Sequence, residues 1–120
     1  MDQNTQDFWS ILDKLCRENK IVIDRPKGSA HPKYPDYIYP LDYGYIENTS
    51  SSDGGGIDVW IGSEEQHVIC AIIICVDYTK RDSEIKVLIA CTDQEIQTIL
   101  AETNRHGGMK GILLKRTRCP

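Results

Sequence analysis

The feature that most constrains this chain is an unbroken apolar run, VICAIIICV, at residues 68–76. The run lacks the alternation of apolar and polar residues that a strand with one solvated face would show. It therefore predicts a central β-strand that is buried on both faces. The run is also far too short to cross a membrane. With 120 residues, of which 40% are hydrophobic, the chain can bury one modest core around this strand. We expect a single domain over residues 1–120.

The periodicity of apolar residues predicts the elements around that run. Helical spacing in residues 5–18 and 93–104 predicts an N-terminal and a C-terminal helix, the first capped by Asn4 or Thr5. Short strands are predicted at residues 21–24, 57–61, 85–91 and 109–115. Residues 25–44 contain four prolines and two glycines, so an extended, turn-rich loop is expected there. This order predicts an α+β domain with a curled antiparallel sheet or barrel.

Charge and cysteine content narrow the class of protein. The net charge is −4, whereas a nucleic-acid-binding domain usually carries a basic excess, so no nucleic-acid partner is expected. The five cysteines are an odd number and three lie in apolar segments, which predicts reduced thiols and a cytoplasmic location. Cys70 and Cys75 would point to opposite faces of one strand, which argues against a shared metal ion. We expect no leader peptide and no membrane partner.

Carboxylates recur at the predicted strand ends. Any one of these residues, taken alone, is best interpreted as part of a solvated turn. Asp58 and Asp77 are different, because each continues an apolar strand where an unpaired carboxylate would be costly. Neighbouring carboxylates repel unless a cation lies between them, and their oxygens suit Mg²⁺, which also binds substrate phosphates. The glycines at residues 54–56 would let backbone N–H groups approach an anion.

The segment YPLDYGYI at residues 39–46, followed by DGGGIDVWIG at residues 53–62, resembles the signature of the soluble family I inorganic pyrophosphatases. The resemblance extends upstream to IVIDRPKGSAHPKY and downstream to VDYTKRDSEIKVLIA. It covers roughly residues 20–116, which leaves the first helix outside it. The resemblance implies a five-stranded OB-like barrel with the two helices packed outside. Two hypotheses remain for the first helix: it either caps the barrel or forms a contact between subunits of an oligomer.

The same resemblance implies roles for individual residues, with Mg²⁺ or Mn²⁺ as the cofactor and a small phosphate compound as the substrate. The implied metal ligands are Asp24, Asp53, Asp58, Asp77 and Asp82. The implied phosphate-binding residues are Lys33, Tyr39, Tyr43 and Lys86. The implied catalytic residues are Asp58, Asp77, Lys33 and Tyr43. Glu84 is an alternative to Asp82, because it stands two residues before Lys86 as the family aspartate does.

The sequence also departs from the family pattern. Gly55 replaces the middle signature aspartate, which in the family orients and deprotonates the attacking water, and Gly56 replaces the following proline. A hairpin with a phosphate-binding arginine is missing, as is a Tyr-Lys pair, near whose place Arg105 and His106 lie. Three hypotheses follow: a Mg²⁺-dependent phosphoanhydride hydrolase with pyrophosphate as the default substrate, a phosphate-, nucleotide- or metal-binding module without turnover, and a hydrolase of a larger phosphate compound. The first is preferred.

Overall fold

The computed structural model describes residues 2–117, which form two helices and six strands. In chain order these elements are α1 (Gln3–Glu18), β1 (Ile21–Arg25), β2 (Asp42–Ile46), β3 (Ile57–Ile61), β4 (Ile69–Asp77), β5 (Asp82–Ile89), α2 (Asp93–Asn104) and β6 (Met109–Lys115). Each helix begins at a side chain that caps its free N–H groups. Asp2 accepts from the backbone N–H of Thr5, so the predicted cap at Asn4 or Thr5 was wrong. Thr92 forms a reciprocal capping box with Glu95.

The six strands form one sheet in the order β1-β2-β3-β5-β4-β6. Strands β1 to β3 form an antiparallel meander, β4 pairs antiparallel with β5 and β6, and β3 pairs parallel with β5. The α+β class and the OB-like arrangement are confirmed. Three details of the prediction were wrong: the sheet has six strands rather than about five, it contains a parallel pair, and it is not closed into a barrel over the described residues.

The additional strand is β2, which lies where the sequence predicted the end of a loop. Its middle residue, Gly44, is buried between its neighbours, and a β-carbon there would overlap the carbonyl oxygen of Val22 on β1. A glycine in a strand often marks such a close backbone approach. The residue that makes the segment look like a turn is therefore the residue that lets β2 pair with β1.

Each face of the sheet has its own core. On one face Trp9 and Leu12 of α1 pack with a cluster that includes Val59. On the other face Ile96 and Ile99 of α2 belong to a cluster that includes Trp60. Adjacent residues of β3 thus serve opposite cores, as strand alternation predicts. The core on the α2 side forms the floor of the candidate site.

Strand β4 lies between β5 and β6, which confirms its interior place in the sheet. Burial on both faces holds only for its first half, because Ile74 is 39% exposed and Val76 60% exposed. The α1-side cluster includes Ile72 but does not extend to these two residues. No helix among residues 2–117 has the length and hydrophobicity needed to span a membrane.

Candidate active site

An aromatic depression, called here the inner cleft, lies on the α2 side of the sheet and has a volume of about 480 Å³. The segment before β2, strands β2, β3 and β5, the β4–β5 turn and the end of α2 all contribute to its walls. Its lining residues are Tyr34, Tyr37, Tyr39, Tyr43, Trp60, Asp77, Thr79, Lys80, Lys86, Glu102, Thr103, His106, Gly108 and Met109. A rich aromatic lining with a few polar groups is typical of a small-molecule site.

The rings of this cleft are positioned by strand pairing. Tyr43 on β2 lies opposite Trp60 on β3, and their ring centroids are 4.5 Å apart. Tyr39 stacks on Tyr43 with centroids 5.6 Å apart. Burial raises the pKa of the Tyr43 hydroxyl, so this group stays a neutral donor at physiological pH. The Tyr39 hydroxyl accepts a hydrogen bond of 3.1 Å from Arg25, which brings a guanidinium group beside the ring stack.

Lys86 is the centre of a buried polar network at the base of the cleft. The parallel register of β3 and β5 places it beside Asp58. Its Nζ donates to Asp58 Oδ2 at 3.0 Å, to Glu84 Oε1 at 3.2 Å and to the Tyr43 hydroxyl at 3.4 Å. Burial alone would lower the pKa of Lys86, but Tyr43, Asp58 and Glu84 outweigh it and raise that pKa above its usual value. Lys86 is therefore a permanent cation.

Two buried polar atoms near this network have no hydrogen-bond partner: Trp60 Nε1 and Glu84 Oε2. The first is a buried donor on Trp60, a residue that lines the inner cleft and is only 6% exposed. The second is a carboxylate oxygen whose partner oxygen is already bound by Lys86. Burial raises the pKa of Glu84, while the charge of Lys86 opposes that shift. Buried groups of this kind are usually satisfied, so a missing ligand would account for both.

The five aspartates predicted to bind metal do not meet in one cluster. Asp53 lies in an exposed turn, where hydrogen bonds from the Gly55 N–H and the Ser51 hydroxyl lower its pKa. Asp77 is 8% exposed and lines the inner cleft, whereas Asp82, its register partner at the start of β5, does not line the cleft. Asp24 is exposed at a bulge in β1. Within residues 2–117, no group of three or more His, Cys, Asp or Glu side chains is arranged to hold a metal ion.

A hydrated divalent cation nevertheless fits part of this arrangement. Mg²⁺ commonly uses one or two carboxylates and completes its coordination with water and substrate phosphates. Asp58 and Glu84 provide two carboxylates around the single ammonium of Lys86, and Glu84 Oε2 is unpartnered. Glu84 therefore fits the role better than Asp82, because it shares the face of β5 that carries Lys86.

Lys33 lies apart from this network. It is exposed in the loop before β2 and lines a second, outer cleft with Arg105. Tyr39 and Tyr43, the other residues predicted to bind phosphate, do meet Lys86 in the inner cleft. Gly55 has a negative φ, and a β-carbon there would meet only Asp53 Oδ1, at 3.3 Å. A side chain at position 55 would therefore fit only if the Asp53 carboxylate moved by a few tenths of an ångström.

Comparison with solved structures supports the fold. An inorganic pyrophosphatase from Helicobacter pylori aligns with a TM-score of 0.54 and 14% identity, over 79% of this chain and 81% of that chain. This chain has an inorganic pyrophosphatase fold. An inorganic phosphatase from Anaplasma phagocytophilum gives a TM-score of 0.53 and 17% identity, with 79% and 81% covered. A pyrophosphatase from Coxiella burnetii gives 0.51 and 13%, with 79% and 82% covered. No protein-family model and no curated protein sequence matches the chain.

Two residues at or near this site were not singled out from the sequence. Trp60 belongs to the buried core and also lines the inner cleft, and its place two residues from Asp58, on the same face of β3, was a usable signal. Arg25 was not considered, because its contact with Tyr39 depends on the pairing of β1 with β2, and β2 was not predicted. Arg25 does not line the inner cleft itself, but it holds a guanidinium against Tyr39, which does.

Proposed function

We propose that this protein hydrolyses a phosphoanhydride in the inner cleft, with pyrophosphate as the reference substrate and Mg²⁺ as the cofactor. The observation that carries the proposal is the buried Trp60 N–H without an acceptor, next to Tyr43 and Lys86. Two donors beside a permanent cation suit the oxygens of a phosphate group. The pyrophosphatase fold around the cleft supports the same class of substrate.

In this proposal each side chain has a definite task. Tyr43 and Trp60 would donate hydrogen bonds to phosphate oxygens, and Lys86, whose three N–H groups already have acceptors, would contribute its positive charge. Asp58 and Glu84 would hold Mg²⁺, which when bound would offset phosphate charge and acidify a coordinated water. Asp77 supplies a carboxylate on the opposite wall, where it can accept a proton from water.

The remaining residues predicted for the site lie outside the hydrogen-bond network of Lys86 and would have supporting roles in the proposed hydrolysis. Tyr39 supports Tyr43 by stacking, and Arg25 holds the Tyr39 hydroxyl. Lys33 would contact only the distal part of a ligand, because it lines the outer cleft. The charge of Asp53 is close enough to Glu84 to help raise the pKa of that carboxyl group. Asp24 and Asp82 do not line the inner cleft, so they would contribute less to the site.

A second candidate function is binding without turnover. The specific observation in its favour is Gly55, which leaves no carboxylate at the centre of the exposed loop opposite β5. The Ser52 hydroxyl of that loop donates to the Ser83 carbonyl at 2.6 Å, so the loop is tied to β5. A carboxylate introduced at position 55 would therefore be carried by a loop already anchored near the site.

Phosphate release from pyrophosphate, with and without Mg²⁺, tests the first proposal. Tyr43→Phe removes one donor and keeps the ring, so affinity should fall by about 10- to 150-fold, from the roughly 1.5–3 kcal/mol of a hydrogen bond to a charged group. Tyr78→Phe is the matched control, because Tyr78 is 78% exposed and outside both clefts.

The outcomes separate the two candidates. Mg²⁺-dependent turnover that Tyr43→Phe impairs and Tyr78→Phe does not would support the hydrolase. Binding without turnover, followed by a gain of activity in Gly55→Asp, would replace it with the binding module. A correctly placed base contributes roughly 10²–10⁴-fold. Absence of pyrophosphate binding in the folded wild-type protein would overturn both.

A further inference from the structure

The inner cleft continues into a second depression, the outer cleft, which has a volume of about 820 Å³. Tyr34, Tyr37 and His106 line both, so the two clefts adjoin, and together they are called here the groove. Pockets of about 300–1,000 Å³ hold ligands of drug size. The groove is therefore much longer than pyrophosphate requires, and its outer part needs an explanation of its own.

The most exposed ring of the groove lies at the junction of the two clefts. Tyr34 is 66% exposed, yet its backbone is held in place. His31 Nδ1 accepts from the backbone N–H groups of Lys33 at 3.0 Å and of Tyr34 at 3.3 Å. Prolines at positions 32 and 35 restrict the same loop. A ring presented to solvent from such a restricted loop offers a flat face to a ligand at little cost in conformational entropy.

The ring of Tyr34 also belongs to a stack that reaches the inner cleft. Its centroid is 5.0 Å from that of His31, and His31 lies nearly parallel to Tyr39 at 6.1 Å. Tyr39 in turn stacks on Tyr43, whose hydroxyl contacts Lys86. A continuous row of rings therefore leads from the phosphate donors to the exposed face of Tyr34.

Positively charged side chains lie at both the inner and the outer end of the groove. Lys86 lies at the inner end, where the proposed phosphate site is. Lys33 and Arg105 lie at the outer end, with Asp36 between the walls, and the Arg105 guanidinium lies 5.7 Å from the centre of the Tyr37 ring. Aromatic faces flanked by cations are the usual platform for a nucleobase, which stacks without demanding a particular hydrogen-bonding edge.

We propose that the natural ligand carries a planar aromatic group on its phosphate chain, as a nucleoside di- or triphosphate does. The phosphates would lie at Lys86 and the base on Tyr34. This inference rests on the proposed function, since it takes the phosphate end to be in the inner cleft. An extended inorganic polyphosphate that reaches Lys33 and Arg105 is the competing ligand, and the experiment separates the two.

The test compares the affinities of pyrophosphate, inorganic triphosphate and adenosine triphosphate, each with Mg²⁺, by isothermal titration. The wild type should bind adenosine triphosphate about 5- to 150-fold more tightly than inorganic triphosphate, the range for one stacked base. Tyr34→Ala should abolish that difference, and Tyr34→Phe should keep it. Tyr34 also lines the inner cleft, so any loss of pyrophosphate affinity in Tyr34→Ala should be much smaller than its loss of adenosine triphosphate affinity, and Tyr34→Phe should show neither loss.

Equal affinities for the two triphosphates, or an unchanged preference in Tyr34→Ala, would overturn the inference while pyrophosphate binding leaves the proposed function intact. A preference for inorganic triphosphate that Lys33→Ala removes would also overturn it, in favour of a polyphosphate. If none of the three compounds binds to folded wild-type protein, the proposed function fails together with the inference.

Discussion

Replacing Lys86 with Met would remove the one cation of the buried network and keep most of the side-chain volume. The side chains of Asp58 and Glu84 are only 19% and 11% exposed, so two carboxylates would face each other without a counter-charge. Breaking a buried ion pair by removing one partner costs about 3–5 kcal/mol. For a chain of this length, Tm should fall by about 10–25 °C.

Thermal unfolding followed by circular dichroism at neutral pH measures this loss. Lys115→Met is the control, since the ion pair of Lys115 with Asp93 is exposed and should contribute little. The triple variant Lys86→Met, Asp58→Asn, Glu84→Gln should recover most of the lost Tm, because no buried charge remains.

The deficit of Lys86→Met should also shrink on acidification. Burial already raises the pKa of Glu84, and the loss of Lys86 would raise it further. A carboxyl group whose pKa is higher in the folded than in the unfolded state costs stability at neutral pH; that cost declines as pH falls below the folded-state pKa and is gone below the unfolded-state pKa. A Tm within about 2 °C of the wild-type value at neutral pH, well below the shift expected from a buried pair, would refute the reasoning.

Three further predictions concern other parts of the chain. Gly44→Ala should cost about 3 kcal/mol or more, measured by denaturant unfolding, because the new methyl group would overlap the Val22 carbonyl oxygen. Thr92→Ala should cost about 1 kcal/mol in the same assay through loss of the α2 capping box. Hydrogen bonding from Cys91 lowers the pKa of Cys70 to about 7; the pH dependence of its alkylation should have a midpoint there, and a midpoint near 9, the ordinary value of a cysteine thiol, would contradict that.

Local pattern was enough to predict both helices and the strands with clear apolar spacing. It failed at β2, whose five residues, DYGYI, follow a proline-rich stretch and contain a glycine. That strand exists because β1 and β3 pair with it on either side, and such pairing is not encoded in the segment itself. A non-local partner outweighed the local propensity.

In the candidate site, too, a contact within one strand could be predicted from the sequence, whereas a contact between strands could not. Strand alternation places Glu84 and Lys86 on one face of β5, so their contact could be predicted from spacing alone. The contact of Lys86 with Asp58 could not, because it depends on the parallel register of β3 and β5. No residue in either strand marks that register. The roles implied by family resemblance brought these residues together without explaining how the chain does so.

The parallel pairing of β3 with β5 is also the junction between two parts of the sheet, and this junction is called here the seam. Within residues 2–117, it joins a sequence-local meander, β1 to β3, to a second three-stranded unit built from β4, β5 and β6. The seam spans four residue pairs, Asp58 to Ile61 beside Lys86 to Ile89. Each unit can form from neighbouring segments, whereas the seam requires docking of the two units across the intervening chain. Asp58 and Lys86 come from opposite sides of it, so the site is complete only after docking. A ligand bound there would hold the docked form by mass action, and slower amide exchange in β3 would reveal it.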